Sequence, residues 1–157
     1  MPCGTLLAVE DLVGREPEFA AIGAALRRPD LAGAVFVGDA GVGKSTLLDA
    51  TLQHAESIGF VTVSITGTRA LADIPLAAFA GLLPGRPVGD AGDLVQLRRV
   101  LQERAAGRPL LLGLDDAHLL DDASAAFAHQ LATDLTAFVV GTLRTGEVPP
   151  EGITSLV

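Results

Sequence analysis

The sequence predicts an α/β fold in which helices cover both faces of a parallel sheet. Two observations support this: short apolar runs alternate with amphipathic helical patterns, and a glycine-rich loop separates the first run from the helix after it. Strands that alternate with helices form parallel three-layer sandwiches, because each crossover helix packs back onto the sheet. The length of 157 residues and the 49% hydrophobic content suit one domain with one core, residues 1–157.

Four strands are predicted from runs rich in Val, Leu, Ile or Phe. Strand 1 is GAVFVG, strand 2 is FVTVSIT, strand 3 is PLLLGL and strand 4 is TAFVVGT, at residues 33–38, 60–66, 109–114 and 136–142. Continuous apolar runs of this length are typical of parallel strands that are buried on both faces.

Helices are predicted between these strands from apolar residues at helical spacing. They cover residues 12–28, 43–57, about 76–83 and 93–107, and a further helix starts near residue 121. Asp93 with Gln96 resembles a capping box, and Asp121 or Asp122 is a suitable N-cap for the last helix.

The composition argues against several classes of function. A net charge of −8, a pI near 4.7 and the absence of Trp and Tyr disfavour binding of nucleic acid by this segment. The lone Cys3 allows no internal disulfide, the N-terminus lacks a basic region, and no apolar run is long enough to cross a membrane. A cytoplasmic protein is expected.

The glycine-rich loop is the most specific motif in the chain. Residues 38–46 read GDAGVGKST and match the phosphate-loop pattern G-x-x-x-x-G-K-S/T in full. Backbone N–H groups of such a loop surround the β-phosphate of a nucleotide, the lysine reaches the β- and γ-phosphates, and the hydroxyl after it binds Mg²⁺. The sequence therefore predicts ATP as ligand with Mg²⁺, held by Gly38, Asp39, Ala40, Gly41, Val42, Gly43, Lys44, Ser45 and Thr46. Lys44 is also the only lysine in the chain.

Two adjacent acids follow the most apolar strand. Asp115 and Asp116 lie where strand 3 ends, and open α/β sheets bind their ligands at that edge. The pattern favours Asp115 as a Mg²⁺ ligand together with Ser45, and Asp116 as the base that orients the attacking water. His118 follows closely, but without a nucleophile or metal-ligand motif it is interpreted as a solvent-facing or hydrogen-bonding residue.

Several segments together resemble one family. VGRE at 13–16, the phosphate loop, and residues 67–85, 107–132 and 138–150 are similar to the N-terminal ATPase domain of large LuxR-type transcriptional regulators of actinobacteria, in the STAND branch of the AAA-related ATPases. The resemblance implies that the segment with Arg15 borders the adenine and that Arg144 senses the γ-phosphate and assists catalysis. On local pattern alone, Arg144 could equally be a surface residue. Such regulators bind DNA through a C-terminal helix-turn-helix, which these motifs do not include.

The resemblance also implies a strand order of 5-1-4-3-2. Only strands 1 to 4 are predicted, so strand 5 and the helical lid are expected to be missing and strand 1 to lie at an open edge. Residues 1–11 are expected to be a flexible N-terminus. An open apolar edge favours self-association, and the missing lid favours weak ATP binding, on the order of micromolar or poorer.

Three functions remain open at this point. The first is slow Mg²⁺-dependent hydrolysis of ATP that acts as a regulatory switch. The second is a module that holds ATP or ADP without hydrolysis, because Asp116 stands where a glutamate is commoner. The third is a small-molecule phosphotransferase, for which no acceptor pocket or basic lid is visible in the sequence.

Overall fold

A computed structural model describes residues 5–10 and 15–156 of the chain. The strands form one parallel sheet in the order β1-β2-β5-β4-β3. The elements in chain order are β1 Thr5–Glu10, α1 Arg15–Ala25, β2 Leu31–Gly38, α2 Lys44–Ser57, β3 Val61–Thr66, α3 Ala91–Ala105, β4 Leu110–Asp115, α4 Asp122–Thr133, β5 Phe138–Arg144 and α5 Glu151–Thr154, with 3₁₀ turns at Arg69–Leu71, Ala77–Leu82 and Ala117–Leu119.

The sheet has a core on each face. Ala34 and Phe36 of β2 are buried against α1 and α2. The alternate residue, Val35, belongs to the larger core on the other face, which includes Leu97 of α3 and Phe127 of α4. Because successive strand residues point to opposite faces, each central strand contributes to both cores. The predicted three-layer α/β sandwich is confirmed, as is the order in which the four predicted strands lie.

The edge of the sheet differs from the prediction. The segment TLLAVE forms β1, which pairs in parallel with β2, so that Leu7 lies beside Ala34. Residues 5–10 therefore form a strand instead of a flexible N-terminus; residues 1–4 and 11 lie outside the described part. The prediction that the strand before the phosphate loop has an open edge is wrong, since β1 occupies the place expected for strand 5. The reason given for self-association through β2 no longer holds.

Two segments on the face of the sheet opposite α1 also differ from the predictions. Residues 77–82 form a 3₁₀ helix, and α3 is capped by Asp90 instead of Asp93. The Asp93 carboxylate accepts hydrogen bonds from the N–H groups of Asp90, at 3.1 Å, and Gly89, at 2.8 Å, and it pairs with Arg86. These interactions hold the pKa of Asp93 below its ordinary value of 3.8.

The N-cap of α4 is Asp121, one of the two residues predicted for that position, and its carboxylate accepts a hydrogen bond from the Ser124 N–H. Among the residues that the structure describes, no helix is both long and apolar enough to span a bilayer.

Candidate nucleotide-binding site

The loop between β2 and α2 leaves the start of α2 without a side-chain cap. Gly41 and Gly43 adopt left-handed backbone angles, with φ of 79° and 93°, which glycine reaches without a steric penalty. Gly43 is the N-cap of α2, no side chain accepts a hydrogen bond there, and the first turn contains no acidic residue. The first N–H groups and the positive end of the helix dipole are therefore available to an anion.

Lys44, the first residue of α2, is buried with its amine on backbone carbonyls. The side chain is 7% exposed. Its Nζ donates hydrogen bonds to the carbonyl oxygens of Gly38, at 2.8 Å, and Asp39, at 2.6 Å. Among the side chains that the structure describes, which exclude that of Glu18, no carboxylate forms an ion pair with Lys44. The recorded partners of the ammonium group are neutral carbonyl dipoles, which makes the loop a strong site for a negatively charged group.

The tip of β4 brings together residues from three elements. Oδ1 of Asp115 accepts hydrogen bonds from Ser45 Oγ at 3.0 Å, from Thr142 Oγ1 at 2.7 Å and from the N–H of Asp116 at 3.2 Å. Ser45 belongs to α2 and Thr142 to β5. The two residues predicted to hold Mg²⁺ therefore lie in direct contact, although 70 positions separate them along the chain.

Asp116 has a constrained backbone. Its φ and ψ of 50° and 49° are left-handed, a region that costs a non-glycine residue about 1 kcal/mol or more. The N–H donates to Thr142 Oγ1 at 2.8 Å, and the carbonyl accepts from the N–H of Leu119, also at 2.8 Å. A Cβ on Gly67 would lie 2.4 Å from the Asp116 carbonyl oxygen, so Gly67 allows this turn to pack against the end of β3.

Arg144 lies beside the start of the glycine-rich loop. It is the last residue of β5 and the register partner of Gly38, the last residue of β2. The next N–H, that of Thr145, donates to the Gly38 carbonyl at 3.1 Å. The exposed Arg144 side chain is therefore held at the mouth of the loop by the pairing of two central strands.

Lys44, Ser45, Asp116 and Arg144 line one cleft of about 450 Å³ at the carboxyl edge of the sheet, whereas Asp115 is not part of its lining. The predicted site residues that line it are Ala40, Gly41, Gly43, Lys44, Ser45, Thr46, Asp116 and Arg144. Gly38 and Asp39 contribute the carbonyls that hold Lys44, whereas Val42 is an exposed residue outside the lining. Arg15 is the first residue of α1, but its side chain and residues 13–14 lie outside the described part.

An apolar pocket of about 360 Å³ lies between α1 and α2, next to the cleft. It is lined by Glu16, Phe19, Ala20, Thr46, Leu47 and Ala50. Thr46 lines both cavities, so the pocket is contiguous with the phosphate loop. A flat apolar ring that is covalently attached to a phosphate chain would fit this pair of cavities.

Three residues of the site were not predicted from the sequence. Thr142 is fully buried and forms hydrogen bonds with both Asp115 and Asp116. The sequence feature that could have identified Thr142 is a single polar residue near the end of an otherwise apolar strand. Arg69 and His118 also line the cleft. The Nδ1 atom of His118 is buried and has no hydrogen-bond partner among the described residues, whereas the residue as a whole is half-buried; the interpretation of His118 as a solvent-facing or hydrogen-bonding residue stays a prediction.

The oxygen atoms near the β4 tip suit Mg²⁺, whose shell phosphates and water complete, better than a metal ion that protein side chains alone would hold. No cluster of three or more His, Cys, Asp or Glu residues occurs in the described part of the chain. Mg²⁺ is usually bound through one or two protein oxygens, with phosphates and water completing its shell. Ser45 Oγ and Asp115 Oδ1 lie 3.0 Å apart and are the two oxygens that could hold Mg²⁺, either directly or through water.

A glycine loop that ends on a buried lysine, set between a central parallel strand and its helix, defines a phosphate-loop nucleotide-binding domain. Comparison with protein-family models agrees: the model described as an AAA ATPase domain matches residues 11–143, and the chain belongs to that family. The match covers the elements from α1 to β5 except Arg144, the last residue of β5. None of the curated proteins compared with the chain matches it.

Proposed function

We propose that this domain binds ATP with Mg²⁺ in the cleft, hydrolyses it slowly, and serves as the nucleotide switch of a signal-transducing regulator. The observation that carries the proposal is the buried Lys44, bonded to neutral carbonyls, beside the uncapped start of α2. A polyphosphate satisfies both features at once, because it offers several charged acceptors in a row.

Lys44 is the main binding group in this proposal. Its Nζ leaves the carbonyls of Gly38 and Asp39 for the β- and γ-phosphates, and it thereby exchanges neutral acceptors for charged ones. Charge-assisted hydrogen bonds are roughly twice as strong as neutral ones, which favours the exchange. The adenine base occupies the apolar pocket between α1 and α2, where Glu16 and Phe19 lie, and the resemblance to LuxR-type regulators implies that Arg15 borders it.

Ser45 and Asp115 hold Mg²⁺, Asp115 through a water molecule. When bound, Mg²⁺ would offset the charge of the phosphates. The hydrogen bonds from Thr142 and the Asp116 N–H fix the Asp115 carboxylate, so this ligand is oriented before the nucleotide arrives.

Hydrolysis takes place at the side of the cleft built by the strand tips. A water oxygen forms a bond to the γ-phosphorus, the bond to the bridging oxygen breaks, and ADP leaves with the electron pair. Asp116 orients the water and accepts its proton, and Arg144 stabilises the charge on the transferred group. The aspartate is one methylene shorter than the glutamate commoner at this place, which is why slow turnover is expected.

Phosphate release tests this assignment against its alternatives. Asp116→Asn should bind Mg²⁺-ATP as the parent does and lose turnover, and Glu103→Gln, which removes an exposed carboxylate of α3, should change neither. A parent with no turnover would leave the non-hydrolysing module as the function. ADP formation that requires an added acceptor alcohol, without an equal release of inorganic phosphate, would favour the phosphotransferase.

The switch role has support from the resemblance to LuxR-type regulators and requires two nucleotide-dependent conformations. Hydrogen exchange of Asp116→Asn with ATP and with ADP tests it. We expect protection of the segment 67–83 to differ between the two nucleotides. Identical exchange throughout the chain would contradict the switch while leaving ATP binding intact.

A further inference from the structure

Arg69 reaches the cleft from the end of β3, which is the edge strand on the far side of β5 and β4 from the phosphate loop. It opens the 3₁₀ turn after β3, and β3 follows β4 and β5 in the sheet order that starts from β2. Strand spacing of about 4.8 Å places β3 and β5 roughly 10 Å apart, with β4 between them. The side chain nevertheless lines the same cleft as Lys44 and Arg144, so it extends across the tip of β4.

Glu147 is the ion-pair partner of Arg69. The Nη2 atom of Arg69 lies 3.9 Å from Glu147 Oε1, and the Arg69 side chain is 79% exposed. Glu147 lies in the turn after β5, and its N–H donates a hydrogen bond to the Arg144 carbonyl at 3.2 Å. The ion pair thus joins the loops that follow the two strands on either side of β4. Exposed pairs at this distance are weak, so Arg69 can change partner readily.

The position of Arg69 corresponds to the far end of a nucleoside triphosphate. The apolar pocket lies against α1, and Thr46 joins it to the phosphate loop. A nucleotide with its base in that pocket extends past Lys44 towards the strand tips, so its last phosphate comes nearest to Asp116, Arg144 and Arg69. A γ-phosphate is a stronger acceptor for a guanidinium than one exposed carboxylate, because it offers more charge and three oxygens.

We propose that Arg69 is a specificity residue that distinguishes ATP from ADP by exchanging Glu147 for the γ-phosphate. This inference rests on the proposed function, since it needs ATP in the cleft. With ADP bound, the Arg69–Glu147 pair stays closed. With ATP bound, Arg69 turns towards the nucleotide, and the pair that links the β3 and β5 loops opens.

Calorimetry with Mg²⁺-ATP and Mg²⁺-ADP tests the exchange through the ratio of the two affinities. Arg69→Ala should weaken ATP binding about tenfold, the loss of one charge-assisted contact, and leave ADP within about twofold of the parent. Glu147→Gln should tighten ATP binding about two- to threefold, because the competing carboxylate is gone. Arg104→Ala removes an exposed arginine of α3 and should leave the ratio unchanged.

The double variant separates competition from a general charge effect. In the Arg69→Ala background, Glu147→Gln should no longer alter ATP affinity, and Arg69→Lys should fall between the parent and Arg69→Ala. An unchanged ATP-to-ADP ratio in Arg69→Ala, or an equal loss for both nucleotides, would overturn the inference while Lys44-dependent ATP binding preserved the proposed function. If the parent binds no ATP, both proposals fail.

Discussion

The two sides of the cleft are built in different ways. The loop side comes from one continuous stretch, residues 38–46, between β2 and α2. The strand-tip side is assembled from Arg69, Asp116, His118 and Arg144, which follow or end three different strands. Local spacing alone determines the first side, whereas the second exists only once the sheet has its final strand order. A single motif therefore predicts nucleotide binding, whereas the proposed hydrolysis depends on the whole topology.

The two sides also differ in how firmly they are held. Lys44 is buried and bonded to two carbonyls, whereas Arg69 and Arg144 are exposed. Affinity should therefore come mainly from the loop side, and discrimination and turnover from the strand tips. The following predictions test this division.

The largest effect is expected at Lys44. Lys44→Ala should weaken Mg²⁺-ATP binding by about 100-fold or more, because two charge-assisted contacts are lost. Labelled-nucleotide titration measures the change. Lys44→Met, which keeps most of the volume, controls for packing and should lose affinity similarly, and full ATP affinity in either variant would show that the loop side is not the anchor.

Asp115 should show a smaller effect that depends on the metal. Asp115→Asn should reduce ATP affinity about tenfold in the presence of Mg²⁺ and little in its absence, because a neutral amide holds hydrated Mg²⁺ less strongly than a carboxylate does. The comparison is made by titrating ATP with Mg²⁺ and with a chelator. Loss of affinity under both conditions would assign Asp115 to the structure of the β4 tip instead of the metal.

Gly67 tests whether the strand-tip side depends on close packing. In Gly67→Ala the new Cβ meets the Asp116 carbonyl oxygen, so we expect a destabilisation of about 1–3 kcal/mol and slower hydrolysis with ATP binding largely kept. Gly81→Ala is the matched control, since a Cβ there meets nothing within 4 Å. Thermal unfolding and phosphate release would show the difference, and two indistinguishable variants would contradict it.

The smallest effect is expected far from the cleft, at Asp93. Its pKa is lowered by the N–H groups of Asp90 and Gly89 and by Arg86, so the folded state favours the charged carboxylate. This stabilisation is present above the unfolded pKa and disappears as pH falls through the folded one. Asp93→Asn should therefore lower Tm at neutral pH, and the difference from the parent should shrink below about pH 4. A difference that is constant with pH would contradict this.

The sequence predicted the parts of the fold that depend on short patterns. The four apolar strands, the helix after the phosphate loop and the Asp121 cap all follow from neighbouring residues, and the structure confirms them. The edge strand β1 was missed because the short apolar run TLLAVE is not distinctive by itself, and its pairing with β2 identifies it. Arg69 and His118 were missed because long side chains reach the cleft from turns whose direction the sequence does not specify.

A competition titration tests the central claim that the phosphate loop anchors the nucleotide. Labelled ATP is bound to the parent chain with Mg²⁺ and then displaced by inorganic triphosphate or by adenosine. We expect triphosphate to displace ATP at concentrations well below those needed for adenosine, and this advantage to disappear in Lys44→Met. Displacement by adenosine alone, or an advantage of triphosphate that persists without Lys44, would contradict the claim.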